Sequence, residues 1–510
     1  MAGEGKKGGL FERFLRWLDE RVGIYGHVAR PAPKYAYRLD YWLGGFVLAS
    51  LVFEIITGAI IALYYTPSDP YKSTVYLITQ VPYGALLFSL HSWGAYVMVG
   101  AMLIHMTRNF IVGAYRPPRE MMWVVGTILA GLTLTEAYLG YSLPYNLISW
   151  VATTTGLNLF SYMPLNIGSL ITIFTLVDPN QPGIMSGVDP LVHRFFVFHW
   201  IVGGLLLLVV AIHLYIFEVH GITPPLRQVK PGAPELIDYY TDRIERSPEW
   251  KLQPLIRSIG FVVMIFLATF ATIFIIASIF PFDIAIQNGK IVYLKPEYNP
   301  VEAANTPPLP DWYFLFVYFF YKATNGYNAS IIFLGWVIVT ILFPFIEIYI
   351  FRHKGPHPAL RPAAISLGTG FIVAFIVNSV WAYLTPGVEI GTIGLVVDAI
   401  IFIASFAVLW PILRYKIQPK LKFIEPPMTD GGTYIGLERP SILDNKLVYL
   451  VTNSSLILSI TIVNYFLLQL LSSLTLGLLS AQFEIGKLIG LEFLLISVFL
   501  YVNIRRFGRK

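Results

Sequence analysis

The stretch HSWGAYVMVGAMLIH (residues 91–105) decides the fold, together with HWIVGGLLLLVVAIH (residues 199–213), which repeats its pattern. Each is an apolar run that begins and ends with a histidine, and its two histidines are fourteen residues apart. At about 3.6 residues per turn this is close to four turns, so both histidines face the same way, about 21 Å apart along the axis. Two such helices side by side offer two facing histidine pairs at two depths.

These facing pairs predict iron ligation. Imidazole is an axial ligand of haem iron, and apolar helix bundles house such cofactors. The spacing therefore predicts that His91 and His199 hold one haem and that His105 and His213 hold a second. A lone histidine in an apolar helix is more often a packing residue, but two identical spacings favour ligation.

The composition indicates a membrane protein. Of the 510 residues, 56% are hydrophobic and 13% are charged, whereas soluble domains average about 25% charged residues. There is no cysteine, which excludes disulfides, iron–sulfur ligation by this chain and thiol catalysis. The net charge of +6 does not indicate a nucleic-acid partner. The basic residues cluster in loops beside apolar segments, which is the pattern of loops at a membrane surface.

Ten apolar segments are long enough to cross a bilayer, for which a helix needs about 20 residues. They are 41–65, 85–112, 121–142, 193–218, 256–280, 328–351, 363–385, 392–413, 448–476 and 483–505. Three shorter apolar pieces, at 146–160, 164–177 and 312–321, are typical of interfacial loop helices. The predicted fold class is an all-α polytopic membrane protein, in which a four-helix haem-binding bundle is followed by further transmembrane helices.

The loops divide the chain and orient it. The predicted parts are an amphipathic surface segment (1–40), the di-haem four-helix domain (41–220), an inner-side loop (221–255), a C-terminal domain (256–413), an inner-side linker (414–447) and two extra transmembrane helices (448–510). Residues 143–192 contain no Lys or Arg, whereas the loops 108–120 and 219–255 are basic. Because basic loops stay inside, we expect both termini in the cytoplasm and a multi-pass protein of the cell membrane. His91 and His199 then lie near the outer surface.

Glycines repeat the same spacing in the first and third spans. Gly44 and Gly58 are fourteen residues apart, as are Gly126 and Gly140. Glycine allows another group to approach a helix backbone closely. The alternative is ordinary helix–helix packing, but two pairs at matching depths favour contact with a cofactor. We expect Gly44 and Gly126 at the inner level and Gly58 and Gly140 at the outer one.

Several segments together resemble a known family over roughly residues 35–390. They are EIITGAIIALYYTPS (54–68), RPPREMMWVVG (116–126), AYLGYSLPYNLISW (137–150), HRFFVFHW (193–200) and PDWYFLF (310–316), whose PDWY matches a PEWY signature. The chain resembles cytochrome b of the quinol-oxidising Rieske/cytochrome b (bc and bf) complexes, of prokaryotic, archaeal type. The last two predicted spans lie beyond the resemblance.

The resemblance implies a function and partners. Quinol is oxidised at an outer site, one electron passes to a Rieske iron–sulfur protein, and the other crosses two b-type haems to a quinone at an inner site, coupled to proton translocation. A downstream electron acceptor or terminal oxidase and a homodimer are implied as well. The enzyme class is a subunit of a quinol:electron-acceptor oxidoreductase.

The resemblance also assigns residues at the outer site. Asp311 corresponds to the acid of the signature and would act as general base towards quinol, with Tyr313 and Tyr141 lining the same site. The alternative for Asp311 is a helix N-cap. Family positions that differ here are Phe88, where the mitochondrial type has arginine, and Glu54, where it has glutamine.

Arginines and inner-side residues complete the predicted site. Arg108 and Arg194 match family arginines near haem propionates, and a guanidinium suits a carboxylate. Glu218, His220 and Arg257 are weaker candidates for the inner quinone site.

Two other functions remain open from the sequence. A di-haem membrane anchor would relay electrons between a dehydrogenase and quinone without dividing the two electrons of quinol; the PDWY loop and the apolar piece 146–160 argue against it. A haem-free ion or solute transporter is the alternative from a different class. A reduced-minus-oxidised spectrum with haem bands eliminates the transporter.

Overall fold

The computed structural model describes residues 38–164, 188–223, 226, 255–324, 326–353, 355–422, 446–473 and 481–507. The predicted surface segment 1–40, apart from its last three residues, lies outside the described residues. So do the interfacial piece at 164–177, apart from its first residue, and most of the inner-side loop and linker.

The described N-terminal half contains six helices. They are α1 (Leu43–Ile61), α2 (Pro70–Gln80), α3 (Gly84–Ile111), α4 (Glu120–Ser142), α5 (Leu147–Ser161) and α6 (Val188–His220). A short 3₁₀ turn, Leu39–Trp42, leads into α1. Helices α3 and α6 carry the two histidine stretches.

The described C-terminal half contains eight helices and one small hairpin. They are α7 (Leu255–Ile279), β1 (Ile284–Gln287), β2 (Lys290–Tyr293), α8 (Pro300–Ala303), α9 (Leu315–Ala323), α10 (Gly326–Phe345), α11 (Pro362–Leu384), α12 (Ile393–Pro411), α13 (Lys446–Ser473) and α14 (Ala481–Phe507). The strands are antiparallel, with Ile284 opposite Tyr293. Helices α10 and α12 each continue into a π-helical turn next to a proline, Pro344 and Pro411, because proline cannot donate its helical hydrogen bond.

Ten helices in the described part of the chain are long and apolar enough to cross a membrane, which confirms the fold class and the ten predicted segments. The first prediction, 41–65, ran four residues too far: the helix ends at Ile61, and turns lead to Pro67. The predicted interfacial pieces at 146–160 and 312–321 are the short helices α5 and α9, although α9 begins only at Leu315.

The bundle consists of two helix pairs. Helix α1 packs along α3, and α4 packs along α6. Helix α7 packs against both α1 and α3. Phe53, Leu86 and Ile273, one from each of these three helices, belong to one buried cluster. The histidines therefore lie where one pair meets the other, and helices α7, α10 and α14 of the C-terminal half contact the bundle.

A buried ion network ties the bundle to the C-terminal half at one end. Glu347, in the π-helical turn after α10, is fully buried and contacts Arg116 at 2.9 Å and Arg361 at 3.1 Å. The hydroxyl of Tyr115 donates to the same carboxylate. Removing one partner of a buried pair costs about 3–5 kcal/mol, so these residues fix the loop after α3 against α10.

The terminal helix α14 is an integral part of the packing. It lies along α7, where Ser497 donates to the carbonyl of Met264 at 3.1 Å. At its start, the Oε1 atom of Gln482 accepts from the backbone N–H of Leu86 at 2.8 Å. That N–H belongs to the first turn of α3, which has no acceptor within the helix.

Candidate functional site

The histidine pair predicted for the outer side, called the outer pair below, is assembled across the two helix pairs. The rings of His91 and His199 are 6.5 Å apart, centre to centre. The Nδ1 atom of His91 lies 3.0 Å from a carboxylate oxygen of Glu54 and 3.0 Å from the hydroxyl of Thr57. The Nδ1 atom of His199 lies 3.1 Å from Glu136. With each Nδ1 facing a polar group, the Nε2 atom is the nitrogen left for a metal.

The ring separation suits one iron between two imidazoles. Metal–imidazole bonds are about 2 Å long, so rings on opposite sides of one metal have centres roughly 6 Å apart. The 6.5 Å between His91 and His199 is close to this value. Two neutral nitrogen donors and a surrounding of apolar helices are also the donor set and the housing that haem takes.

Each predicted glycine lies against one predicted ligand. A Cβ atom at Gly58 would lie 3.0 Å from the ring of His91, and one at Gly140 would lie 2.9 Å from the ring of His199. At the other level, the corresponding distances are 3.1 Å from Gly44 to His105 and 3.3 Å from Gly126 to His213. Each glycine lies at the level expected for it. The group that the missing side chain leaves room for is the imidazole ring of the histidine. Contact of these glycines with the cofactor stays a prediction.

The inner pair has different neighbours. The Nε2 atom of His105 lies 3.2 Å from the side-chain amide nitrogen of Asn109. The Nδ1 atom of His213 is buried and has no hydrogen-bond partner among the described residues. Neither histidine contacts a carboxylate within the described part of the chain. The inner pair therefore lacks the acidic neighbours of the outer one.

The predicted propionate arginines lie near the two levels. The guanidinium of Arg108 contacts Asp40 at 3.2 Å and stacks over Tyr41, with 4.2 Å to the ring centre. Its Nε atom is buried without a partner among the described residues, so Arg108 keeps a donor. Arg194 lies five residues before His199 on α6 and is half-buried. Propionate contact stays a prediction for both.

The weaker predictions lie where two helices end and begin. Glu218 is exposed and His220 is half-buried at the end of α6. Arg257 lies in the first turn of α7, and its side chain is outside the described residues. The structure does not join these three into a defined site. Phe88, at the position of the family arginine, packs edge-on against Phe282 in an aromatic cluster.

Asp311 is the centre of a second polar site. Its Oδ1 atom accepts a hydrogen bond from the hydroxyl of Tyr96 at 2.6 Å, and its Oδ2 atom accepts one from Tyr313 at 2.9 Å. Burial raises the pKa of Asp311 above its usual value, and the two tyrosine bonds oppose that rise. The helix-cap alternative is wrong, since α9 begins at Leu315 and has no side-chain cap.

A large apolar cavity opens beside Asp311. Its volume is about 1320 Å³, and its wall includes Tyr141, Pro310 and Tyr313. The hydroxyl of Tyr141 donates to the carbonyl of Leu309 at 3.4 Å. Tyr313 and Tyr141 therefore line a cavity large enough for a drug-sized ligand, and Asp311 lies next to its wall through its hydrogen bond with Tyr313.

Two polar residues of these sites are not predicted from the sequence. Tyr96 is five residues beyond His91 on α3 and reaches Asp311, yet a tyrosine in a membrane helix is a weak signal by itself. Glu136 contacts His199, and its signal is visible: it stands at the same offset from its glycines as Glu54 does in the first span.

The bundle, the paired intramembrane histidines and the carboxylate beside a large cavity define a class, namely helical membrane proteins of electron transfer. The profile of the family described as "Cytochrome b(N-terminal)/b6/petB" matches residues 96–285. The cytochrome b of Sulfolobus acidocaldarius is 31% identical over 454 residues, which cover 84% of this chain and 75% of that protein. The "Cytochrome bc complex cytochrome b subunit" of Chlorobaculum thiosulfatiphilum is 29% identical over 344 residues, 65% of this chain and 73% of that protein.

Similarity to a solved structure extends to the fold. A chain of a "Hyperthermophilic respiratory Complex III" superposes with a TM-score of 0.58 at 22% identity, covering 79% of this chain and 98% of that chain. The chain belongs to the cytochrome b family. Haem cofactors and a role in electron transport follow from that membership.

Proposed function

We propose that this chain is the di-haem cytochrome b subunit of a quinol-oxidising respiratory complex in the cell membrane. The observation that carries the proposal is the position of Asp311: its buried carboxylate accepts a hydrogen bond from Tyr96, which stands five residues beyond His91 on the same helix. A carboxylate that can take a proton and a histidine pair that can hold an electron acceptor are thus adjacent. Quinol oxidation needs both.

The proposed reaction begins at the cavity. Quinol gives up two protons and two electrons. The carboxylate of Asp311 takes one hydroxyl proton as general base, and the second proton leaves to water on the outer side. The hydroxyls of Tyr96 and Tyr313 hold the carboxylate in place through the transfer. One electron goes to a Rieske iron–sulfur protein, and the second goes to the level of His91 and His199.

Four histidines and two arginines would hold the haems that carry the second electron. When bound, haem supplies a one-electron acceptor at each level. His91 and His199 would hold the outer iron, and His105 and His213 would hold the inner one once the amide of Asn109 leaves the Nε2 atom of His105. A quinone is reduced near the inner surface. The apolar helix surfaces exclude water between the levels. Arg108 and Arg194 would pair with propionates.

The topology gives the reaction a direction. With both termini in the cytoplasm, as the loop charges indicate, protons leave on the outer side and are taken up on the inner side. A homodimer and a terminal oxidase or other downstream acceptor complete the proposed assembly.

The test combines a spectrum with one variant. A reduced-minus-oxidised spectrum of the purified protein should show two haem components, and quinol should reduce the outer one in the presence of a Rieske partner. Asp311→Asn should slow that reduction strongly while dithionite still reduces both haems. Unchanged quinol-driven reduction would support the membrane anchor without division of electrons, and a protein without haem absorbance would contradict both.

A further inference from the structure

One pattern links two buried glutamates to the outer histidines. In the segment Gly44–Gly58 of α1, Glu54 stands ten residues after the first glycine and four before the second. In the segment Gly126–Gly140 of α4, Glu136 stands at the same offsets. Because the offsets are equal, both glutamates lie one turn from the glycine that faces an outer histidine.

Both glutamates approach the same atom of their histidine. Glu54 lies 3.0 Å from Nδ1 of His91, and Glu136 lies 3.1 Å from Nδ1 of His199. Their side chains are only 12% and 16% exposed. The ring of His199 is at contact distance but is not aligned for a hydrogen bond, whereas His91 has the hydroxyl of Thr57 as a further neighbour.

Glycines on the histidine helices make room for the carboxylates. A Cβ atom at Gly94 would lie 1.9 Å from Oε1 of Glu54, and one at Gly203 would lie 3.2 Å from Oε1 of Glu136. Gly94 is three residues beyond His91, and Gly203 is four beyond His199. The space for each carboxylate is therefore built into the helix that carries the ligand.

The second oxygen of each carboxylate is not otherwise used. Oε1 of Glu54 and Oε2 of Glu136 are buried and have no hydrogen-bond partner among the described residues. Leaving a buried acceptor unsatisfied costs about 1–3 kcal/mol, and acidic groups inside a membrane are expensive and mark function. The polar contact that Glu54 and Glu136 share is the one each makes with a histidine of the outer pair.

We propose that Glu54 and Glu136 are a matched pair of positioning residues for the outer haem. Each carboxylate lies beside the Nδ1 atom of one ligand histidine and would accept the Nδ1 proton when iron binds the Nε2 atom of that ring. A carboxylate partner at Nδ1 makes imidazole a more basic ligand, which stabilises the ferric state. The pair lowers the reduction potential of the outer haem relative to the inner one. This inference rests on the proposed ligation by His91 and His199.

The test measures the potential of each haem in the purified holoprotein by spectroelectrochemical titration. Outer-shell partners change metal binding about 10–100-fold. Glu54→Gln and Glu136→Gln should each favour reduction of the outer haem at least about tenfold, an upward shift of about 59 mV for a one-electron couple. The inner haem is the internal reference and should keep its potential.

Glycine variants supply matched controls that leave the glutamates in place. Gly94→Ala should displace the carboxylate of Glu54 and raise the outer potential, whereas Gly100→Ala on the same helix should not, because a Cβ there meets nothing within 4 Å. Gly203→Ala and its neighbour Gly204→Ala form the second such pair.

The outcomes separate this inference from the proposed function. If both haems are present and neither glutamine variant changes the outer potential from that of the parent, the proposed role of the glutamates is overturned while the proposed ligation by His91 and His199 stands. Equal shifts in Gly203→Ala and Gly204→Ala overturn it too. If His91→Ala retains the outer haem, the proposed ligation itself fails.

Discussion

The outer and inner histidine pairs share their spacing and differ in their surroundings. His91 and His199 each have a carboxylate within 3.1 Å, whereas His105 has the amide of Asn109 and the Nδ1 atom of His213 has no partner within the described residues. The outer glycines also approach their rings more closely than the inner ones. If these histidines bind haem as proposed, the residues next to them would give the two haems different affinities for an electron.

The largest expected effect is the separate loss of each haem. Replacing His91 by Ala should remove the outer haem and leave the inner one, and His105→Ala should do the reverse, because the two pairs use different residues. His220→Ala should keep both. The measurement is the haem-to-protein ratio with the reduced-minus-oxidised spectrum. Two haems retained in His91→Ala would contradict the proposal that the two histidine pairs bind separate haems.

A large effect is also expected at the carboxylate beside the outer pair. Asp311→Ala should lower quinol-driven reduction of the outer haem by about 10²-fold or more, since general bases contribute about 10²–10⁴-fold. Asp311→Glu should retain much of the rate, because it keeps a carboxylate. Stopped-flow reduction by quinol measures both, and dithionite reduction serves as the control. An equal loss in the glutamate variant would show that a carboxylate alone is not sufficient.

A smaller effect should come from Tyr96 through the pH dependence. The hydrogen bond from Tyr96 opposes the rise in the pKa of Asp311 caused by burial, so Tyr96→Phe raises that pKa further. The base acts when it is ionised, and therefore the rise of the rate with pH should move to higher pH. Rate–pH profiles of the variant and the parent measure the shift. A shift to lower pH would contradict the arrangement.

The smallest effects should distinguish the glycines of the two levels. Gly140→Ala places a Cβ 2.9 Å from the ring of His199, and Gly126→Ala places one 3.3 Å from His213. Overpacking typically costs about 1–3 kcal/mol, so we expect more haem loss on heating from the outer level in the first variant than from the inner level in the second. Gly131→Ala, in open space on the same helix, should behave like the parent.

Periodic features of the sequence predict much of this fold, because helix geometry is local. The spacing of His91 and His105 sets their common face, and the matching glycines set their level. The contact between Tyr96 and Asp311 joins residues 215 positions apart, and no local pattern indicates it. Glu136 is predictable only in part. Its offset from the glycines repeats that of Glu54, but only the structure shows that both glutamates contact histidines of the same pair.

The bond between Gln482 and Leu86 spans 396 positions of the chain, and its consequence concerns the order of synthesis. Ribosomes add about 5–20 residues per second, so roughly 20–80 s pass between the emergence of the two residues. Throughout that interval the first turn of α3 lacks its acceptor. A chain interrupted before Gln482 never acquires this acceptor, so the start of the helix that carries His91 and His105 is capped in this way only after residue 482 has been translated.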